Sequence, residues 1–250
     1  MKKTDANFLK PSQEQLNSLL ELYQSGKYTD AEKLSVSITE EFPKHQFAWK
    51  VLAAVFKQNG RINESLVACQ KSVQLNPQDA EAYSNLGVIM NELKRFKEAE
   101  ASFRQVIALN PQDAEAHHNL GILLQEQGRL NEAEVSYRQA ITLKPDYAEA
   151  HNNLGILLKK QGRLNEAEVS YTQAIALKLD YAEAHNNLGI LLKEQGRLNK
   201  AEASYTQAIA LKPDYAEAHN NLGILLKEQG RLNEAEASYR QAIVLKPDLA

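Results

Sequence analysis

One cysteine, two methionines, one tryptophan and eleven glycines in 250 residues leave this chain without several common structural devices. With Cys69 alone no internal disulfide framework can form, and a reducing, cytoplasmic setting is expected. No stretch approaches the roughly 18 consecutive apolar residues of a membrane helix. Lys2 and Lys3 have no apolar run behind them, so no secretory signal is expected. Neither charge is in excess: 29 Lys and Arg stand against 32 Asp and Glu, a net charge of −3. The basic stripe that phosphate contacts require is therefore missing, and neither nucleic acid nor membrane is an expected partner. The hydrophobic fraction, 43%, is too high for a disordered chain. Asn63-Glu64-Ser65, the one glycosylation-like triplet, reads as a chance match.

What the chain has instead is repetition. Ala-Glu-Ala-His-Asn-Asn-Leu-Gly begins at Ala148, Ala182 and Ala216, with a close relative at Ala114, each 34 residues from the next. Weaker copies begin at Ala80, Gln46 and Ser12. Seven repeats then run over 12–45, 46–79, 80–113, 114–147, 148–181, 182–215 and 216–249, behind a tail of residues 1–11. Residues that did not define this frame obey it. All eleven glycines fall at positions 8 and 15, and six of the seven prolines at position 32.

Each repeat reads as two helices. In the fifth, Ala150, Leu154, Leu157 and Leu158 recur at helical spacing, and Gly162 stands where a helix end favours a left-handed residue. Asn165 is then expected to cap the second helix, with Glu166 and Glu168 near its positive end. Ala167, Tyr171, Ala174, Ile175 and Leu177 form the buried stripe of that helix, and a proline near position 32 ends it in most repeats. Glycine inside a helix costs roughly 1 kcal/mol against alanine, so its five-fold recurrence at position 8 implies a close approach of the two helices. The small alanine at position 20 is the expected neighbour.

These residues resemble the tetratricopeptide repeat family, whose period is 34 residues. The third repeat carries the pattern on Tyr83, Leu86, Gly87, Met90, Ala99, Phe103 and Pro111, and the resemblance covers residues 12–249. It departs from the pattern at Ser65, Cys69, Lys94 and Leu179, and at the histidines of position 4. The resemblance implies an all-α, right-handed superhelical solenoid of helix-turn-helix repeats. It also implies a concave groove, lined by the first helix of each repeat, that binds a protein or peptide. Such repeats usually end in a polar capping helix, and none is visible before Ala250. The chain is therefore expected to be a segment of a longer protein, or to cover its uncapped C-terminal repeat by self-association.

By the same resemblance, positions 2, 5, 6, 9, 12 and 13 face the groove. Position 6 is Asn85, Asn119, Asn153, Asn187 and Asn221, and position 5 adds Asn152, Asn186 and Asn220. Position 12 turns basic at Lys159, Lys193 and Lys227. A carboxamide both donates and accepts, so it can pair with any peptide backbone. Helices about 10 Å apart, facing a chain that advances about 3.3 Å per residue, put one asparagine at every third ligand residue. This lane is similar to the asparagine ladder in the repeat arm of O-linked N-acetylglucosamine transferases. A clamp for a C-terminal carboxylate, which in this family needs Asn at position 9 and basic residues at positions 2 and 6, is absent, because position 9 is Ile or Val in repeats 3–7.

His117, His151, His185 and His219 recur once per repeat, roughly 10 Å apart, too far for one metal ion. They read as packing residues, as do the tyrosines of position 24 and the junction residues Tyr147, Tyr181 and Tyr215. No phosphate loop, metal-ligand spacing or nucleophile with a base is present. The expectation is a protein-interaction scaffold with no cofactor, no metal and no catalytic residue. The alternative is the substrate-recruiting arm of a larger enzyme, a glycosyltransferase above all, that continues past residue 250.

Overall fold

A computed structural model describes residues 10–247. The chain divides into two compact units, residues 1–123 and 124–250. The first holds α1 (Gln13–Gln24), α2 (Tyr28–Glu41), α3 (Gln46–Gln58), α4 (Ile62–Leu75), α5 (Ala80–Glu92), α6 (Phe96–Leu109) and most of α7 (Ala114–Glu126). The second holds α8 (Leu130–Leu143), α9 (Ala148–Lys160), α10 (Leu164–Leu177), α11 (Ala182–Glu194), α12 (Leu198–Leu211), α13 (Ala216–Glu228) and α14 (Leu232–Leu245). The fold is an all-α helical repeat. Successive helices pack on one another from α1 to α6 and from α8 to α14, and first helices of successive repeats also touch, α1 on α3 on α5 and α9 on α11 on α13. None of the described helices is long and apolar enough to cross a membrane.

The turn inside each repeat follows from one glycine. Gly162 has φ +78°, its N–H donates to Lys159 O (2.9 Å), and the Arg163 N–H donates to Leu158 O (2.9 Å). That pair of bonds satisfies the last carbonyls of α9 and reverses the chain. Lys94 makes the same turn at φ 59° with no glycine to ease it.

Asn165 does not cap α10 as its sequence context suggests. The helix begins one residue earlier, and Arg163 precedes it without a side-chain cap. The Arg163 guanidinium instead holds both carboxylate oxygens of Glu166 (2.7 and 2.6 Å) and reaches back one repeat to Glu134 (2.6 Å). The same backward contact recurs as Arg197 to Glu168 (2.5 Å) and Arg231 to Glu202 (2.7 Å). A second series closes each of the last three repeats on itself: Lys178–Glu149, Lys212–Glu183 and Lys246–Glu217, at 3.0 to 3.2 Å.

The neighbour of the position-8 glycine is also different from the expected alanine. A Cβ on Gly155, Gly189 or Gly223 would meet the ring of Tyr171, Tyr205 or Tyr239 at 2.6–2.8 Å, and on Gly87 it would meet Phe103 at 2.7 Å. The aromatic of position 24 therefore lies flat against the first helix, and the glycine makes room for it. Where the ring is missing, the glycine is missing too. Ala53 stands opposite Cys69 in the second repeat, and Leu19 opposite Ser35 in the first. All four of these residues are buried, at 0 to 1% exposure. Leu19 with Ser35 makes up the volume of a glycine and a ring, as a close-packed core demands, whereas Ala53 with Cys69 makes up only part of it.

The histidines of position 4 serve the junctions. His151 Nε2–H donates to Pro145 O and His219 Nε2–H to Pro213 O, both at 3.0 Å, and Trp49 Nε1–H does the same to Pro43 O. Each ring satisfies the carbonyl of the proline six residues before it.

Candidate peptide groove

The asparagines of positions 5 and 6 occupy different environments. Asn152 and Asn186 are buried, at 5% and 4% exposure, while Asn153, Asn187, Asn220 and Asn221 are half-buried. The Asn187 Nδ2–H donates to Asn152 Oδ1 (3.1 Å), and the Asn221 Nδ2–H to Asn186 Oδ1 (3.0 Å). Tyr181 and Tyr215 hydrogen-bond the same two buried carboxamides. Burial, with Glu149 and Glu183 nearby, pushes the Tyr181 phenol up to about 12 against the hydrogen bond from Asn152, so it stays neutral at any ordinary pH. Each of Asn152 and Asn186 thus ties the junction tyrosine to the position-6 asparagine of the following repeat. It holds that residue in place and is itself too buried to reach a ligand.

This fixes what position 6 can offer. A carboxamide has two N–H groups and a carbonyl with two lone pairs. One N–H of Asn187 is used by Asn152. The oxygen and the second N–H remain for a partner, enough for one acceptor and one donor contact. Asn187 lines a cavity of about 460 Å³ together with Ile156, Lys159, Tyr171, Ile190 and Glu194. Lys159 pairs with Glu194 (2.8 Å) and Lys193 with Glu228 (2.7 Å), so these lysines bridge successive first helices and add little net charge to the cavity. Lys227 is exposed. In the first unit, Asn85 and Asn119 are half-buried, and Asn85 lines a smaller cavity.

Position 5 in the second repeat is Lys50, whose ammonium meets Asp79 (3.1 Å) and Glu81 (2.6 Å). Asp79 occupies the junction position that Tyr181 and Tyr215 fill later. A charged link and an uncharged one therefore serve the same joint.

Among the described residues no group of three or more His, Cys, Asp or Glu side chains could hold a metal ion. What the site presents is a series of half-buried carboxamides beside branched aliphatic side chains, repeated at the step of the fold. A family profile described as the cilia and flagella-associated protein 70 C-terminal domain matches residues 47–248, and a tetratricopeptide repeat profile matches residues 20–39. The chain belongs to the tetratricopeptide repeat family.

Solved tetratricopeptide repeat proteins share the fold. The crystal structure of the APC/C hetero-tetramer Cut9-Hcn1 is 16% identical with a TM-score of 0.77, covering 92% of this chain and 45% of that one. The present chain thus spans less than half of it. PilF of Pseudomonas aeruginosa is 22% identical, TM-score 0.72, with 81% and 92% covered. YrrB, described as a tetratricopeptide repeat protein with an unusual peptide-binding site, is 22% identical, TM-score 0.56, with 72% and 93% covered. A search of curated protein sequences found no match.

Proposed function

We propose that this tetratricopeptide repeat chain is a protein-interaction scaffold. It grips an extended segment of a partner through the partner's backbone, using the position-6 asparagines as the contacts. The observation that carries the reading is the link from Asn152 to Asn187 and from Asn186 to Asn221. In the fifth and sixth repeats a buried side chain is committed to orienting an accessible one in the next, and preorganised polar groups bind without losing rotamer freedom. Ile156 and Ile190 beside them supply apolar contact that is tolerant of side-chain identity. A peptide-binding site reported for YrrB, on the same fold, is a further support.

Peptides enriched from a random twelve-residue display library on the wild-type chain serve as the probe. Replacing Asn153, Asn187 and Asn221 together by alanine is expected to weaken them on the order of tenfold or more, each lost contact being worth roughly 0.5–1.5 kcal/mol. Unchanged affinity with unchanged helicity overturns the backbone-binding role.

A further inference from the structure

The second repeat is where the repeated core is broken. Its position 24 holds Cys69 instead of an aromatic ring, and its position 8 holds Ala53 instead of glycine. The added methyl replaces only part of the lost ring. The remainder is a cavity of about 110 Å³ inside the first unit. Its floor is buried: Ala53, Cys69 and Ile89 are each 1% exposed. Its rim is half-buried, with Tyr23, Asn85 and Val88, and two of these lie at groove positions 6 and 9.

The polar atoms on the floor of this cavity are already satisfied, and Tyr23, Gln58 and Asn85 place theirs at its rim. The Ser65 hydroxyl on its floor donates to Ala53 O (2.7 Å), and Cys69 hydrogen-bonds Ser65. Lys57 at the rim is paired with Glu92 (3.4 Å). Nothing on the floor calls for a charged or hydrogen-bonding guest. A dry cavity of about 150 Å³ takes up benzene, so a space of about 110 Å³ admits a smaller, aliphatic group.

We propose that this cavity is the specificity pocket of the groove: it takes one aliphatic side chain, of leucine, isoleucine or methionine size, from the partner segment whose backbone Asn85 holds. The inference rests on the groove reading and adds to it a side-chain preference that the asparagines cannot supply. In the other repeats whose position-8 contact is described, Phe103, Tyr171, Tyr205 and Tyr239 fill the space against the first helix, so the cavity beside Asn187 stops at the Tyr171 ring where this one reaches past Cys69 to the helix. The partner therefore reads the scaffold at one defined place and lies on the remaining repeats through its backbone.

The test uses the same random twelve-residue display library on the full chain. Cys69, the only cysteine, reports on the pocket through its rate of alkylation by iodoacetamide. Enriched peptides are expected to share one Leu, Ile or Met. Changing that residue to alanine should weaken binding on the order of ten- to a hundredfold. The bound peptide should slow Cys69 alkylation about tenfold or more, and the alanine version should not. The double variant Ala53→Gly/Cys69→Tyr, which fills the pocket as its neighbours are filled, should keep its helicity and enrich peptides without the shared residue. Peptides that depend on Asn85 but share no aliphatic residue, or that leave Cys69 alkylation unchanged, overturn the pocket and spare the groove. A library from which no asparagine-dependent peptide emerges overturns both.

Discussion

Placing a methyl group on Gly189 sets two opposing effects against each other, and their balance depends on a single ring. Alanine is a better helix former than glycine by about 1 kcal/mol, so in open space Gly189→Ala would stabilise α11. Here the new Cβ would sit 2.6 Å from Tyr205 Cε1 and 2.7 Å from Cδ1. Tyr205 is 1% exposed, so its ring cannot swing into solvent. Overpacking of a tight core costs about 1–3 kcal/mol, and the net expectation is a loss of up to about 2 kcal/mol. In the Tyr205→Cys background, the pair becomes the one that the second repeat uses at Ala53 and Cys69. The obstruction is then gone, and Gly189→Ala should stabilise by about 1 kcal/mol. Urea unfolding followed by far-UV circular dichroism, under reducing conditions and in both backgrounds, measures the four corners of this cycle. A stabilising Gly189→Ala with Tyr205 present would refute the steric account. So would the same effect in both backgrounds.

Three further outcomes follow from the geometry. Lys94→Gly relieves a left-handed residue at φ 59° and should raise stability by about 0.5–1 kcal/mol, read as a shift in urea midpoint without a change in slope. Leu179 is 77% exposed in a turn whose hydrogen bonds, Lys178 N–H to Ala174 O and Tyr181 N–H to Lys178 O, match those around Pro145 and Pro213. Leu179→Pro should therefore fit and stabilise by about 0.4–1 kcal/mol through the unfolded chain, and a lower melting temperature would count against that fit. Burial alone would push the Glu134 carboxyl up, but hydrogen bonds from Arg163 and Arg138 hold it below 4.5, and Lys50 likewise holds Asp79 down against burial. For carboxylates lowered in the folded state, the stabilisation is present above the unfolded value and lost as pH falls through the folded one. The urea midpoint should hold steady near neutrality and fall below about pH 4.5; a midpoint indifferent to acid would remove the inter-repeat ion pairs from the account.

The repeat, its helix pairs and its glycine turns are readable in the sequence because they depend on residues within one period. Gly162 and Pro145 act locally, so their positions alone disclose them. The misreadings arise where one repeat meets another residue's volume or charge. Asn165 looks like a cap, yet Arg163 takes the preceding place because Glu166 and Glu134 both reward a guanidinium there. Ala167 looks like the partner of Gly155, but the ring of Tyr171 fills that space. Asn152 and Asn153 are adjacent and chemically identical. Only contacts beyond their own helix, with Tyr181 at the end of the repeat and Asn187 in the following one, decide that one is buried and the other is not.

The contacts that join the later repeats point to the same place in the neighbouring copy: Arg231 to Glu202 and Asn221 to Asn186. Excising residues 182–215 would bring Arg231 opposite Glu168 and Asn221 opposite Asn152, which are the same residue types in the same register. Every joint would be remade without a single substitution. Within this stretch, length is thus a quantity the gene can change by whole periods, in one step, while each intermediate remains a folded protein with a shorter or longer hold on its partner.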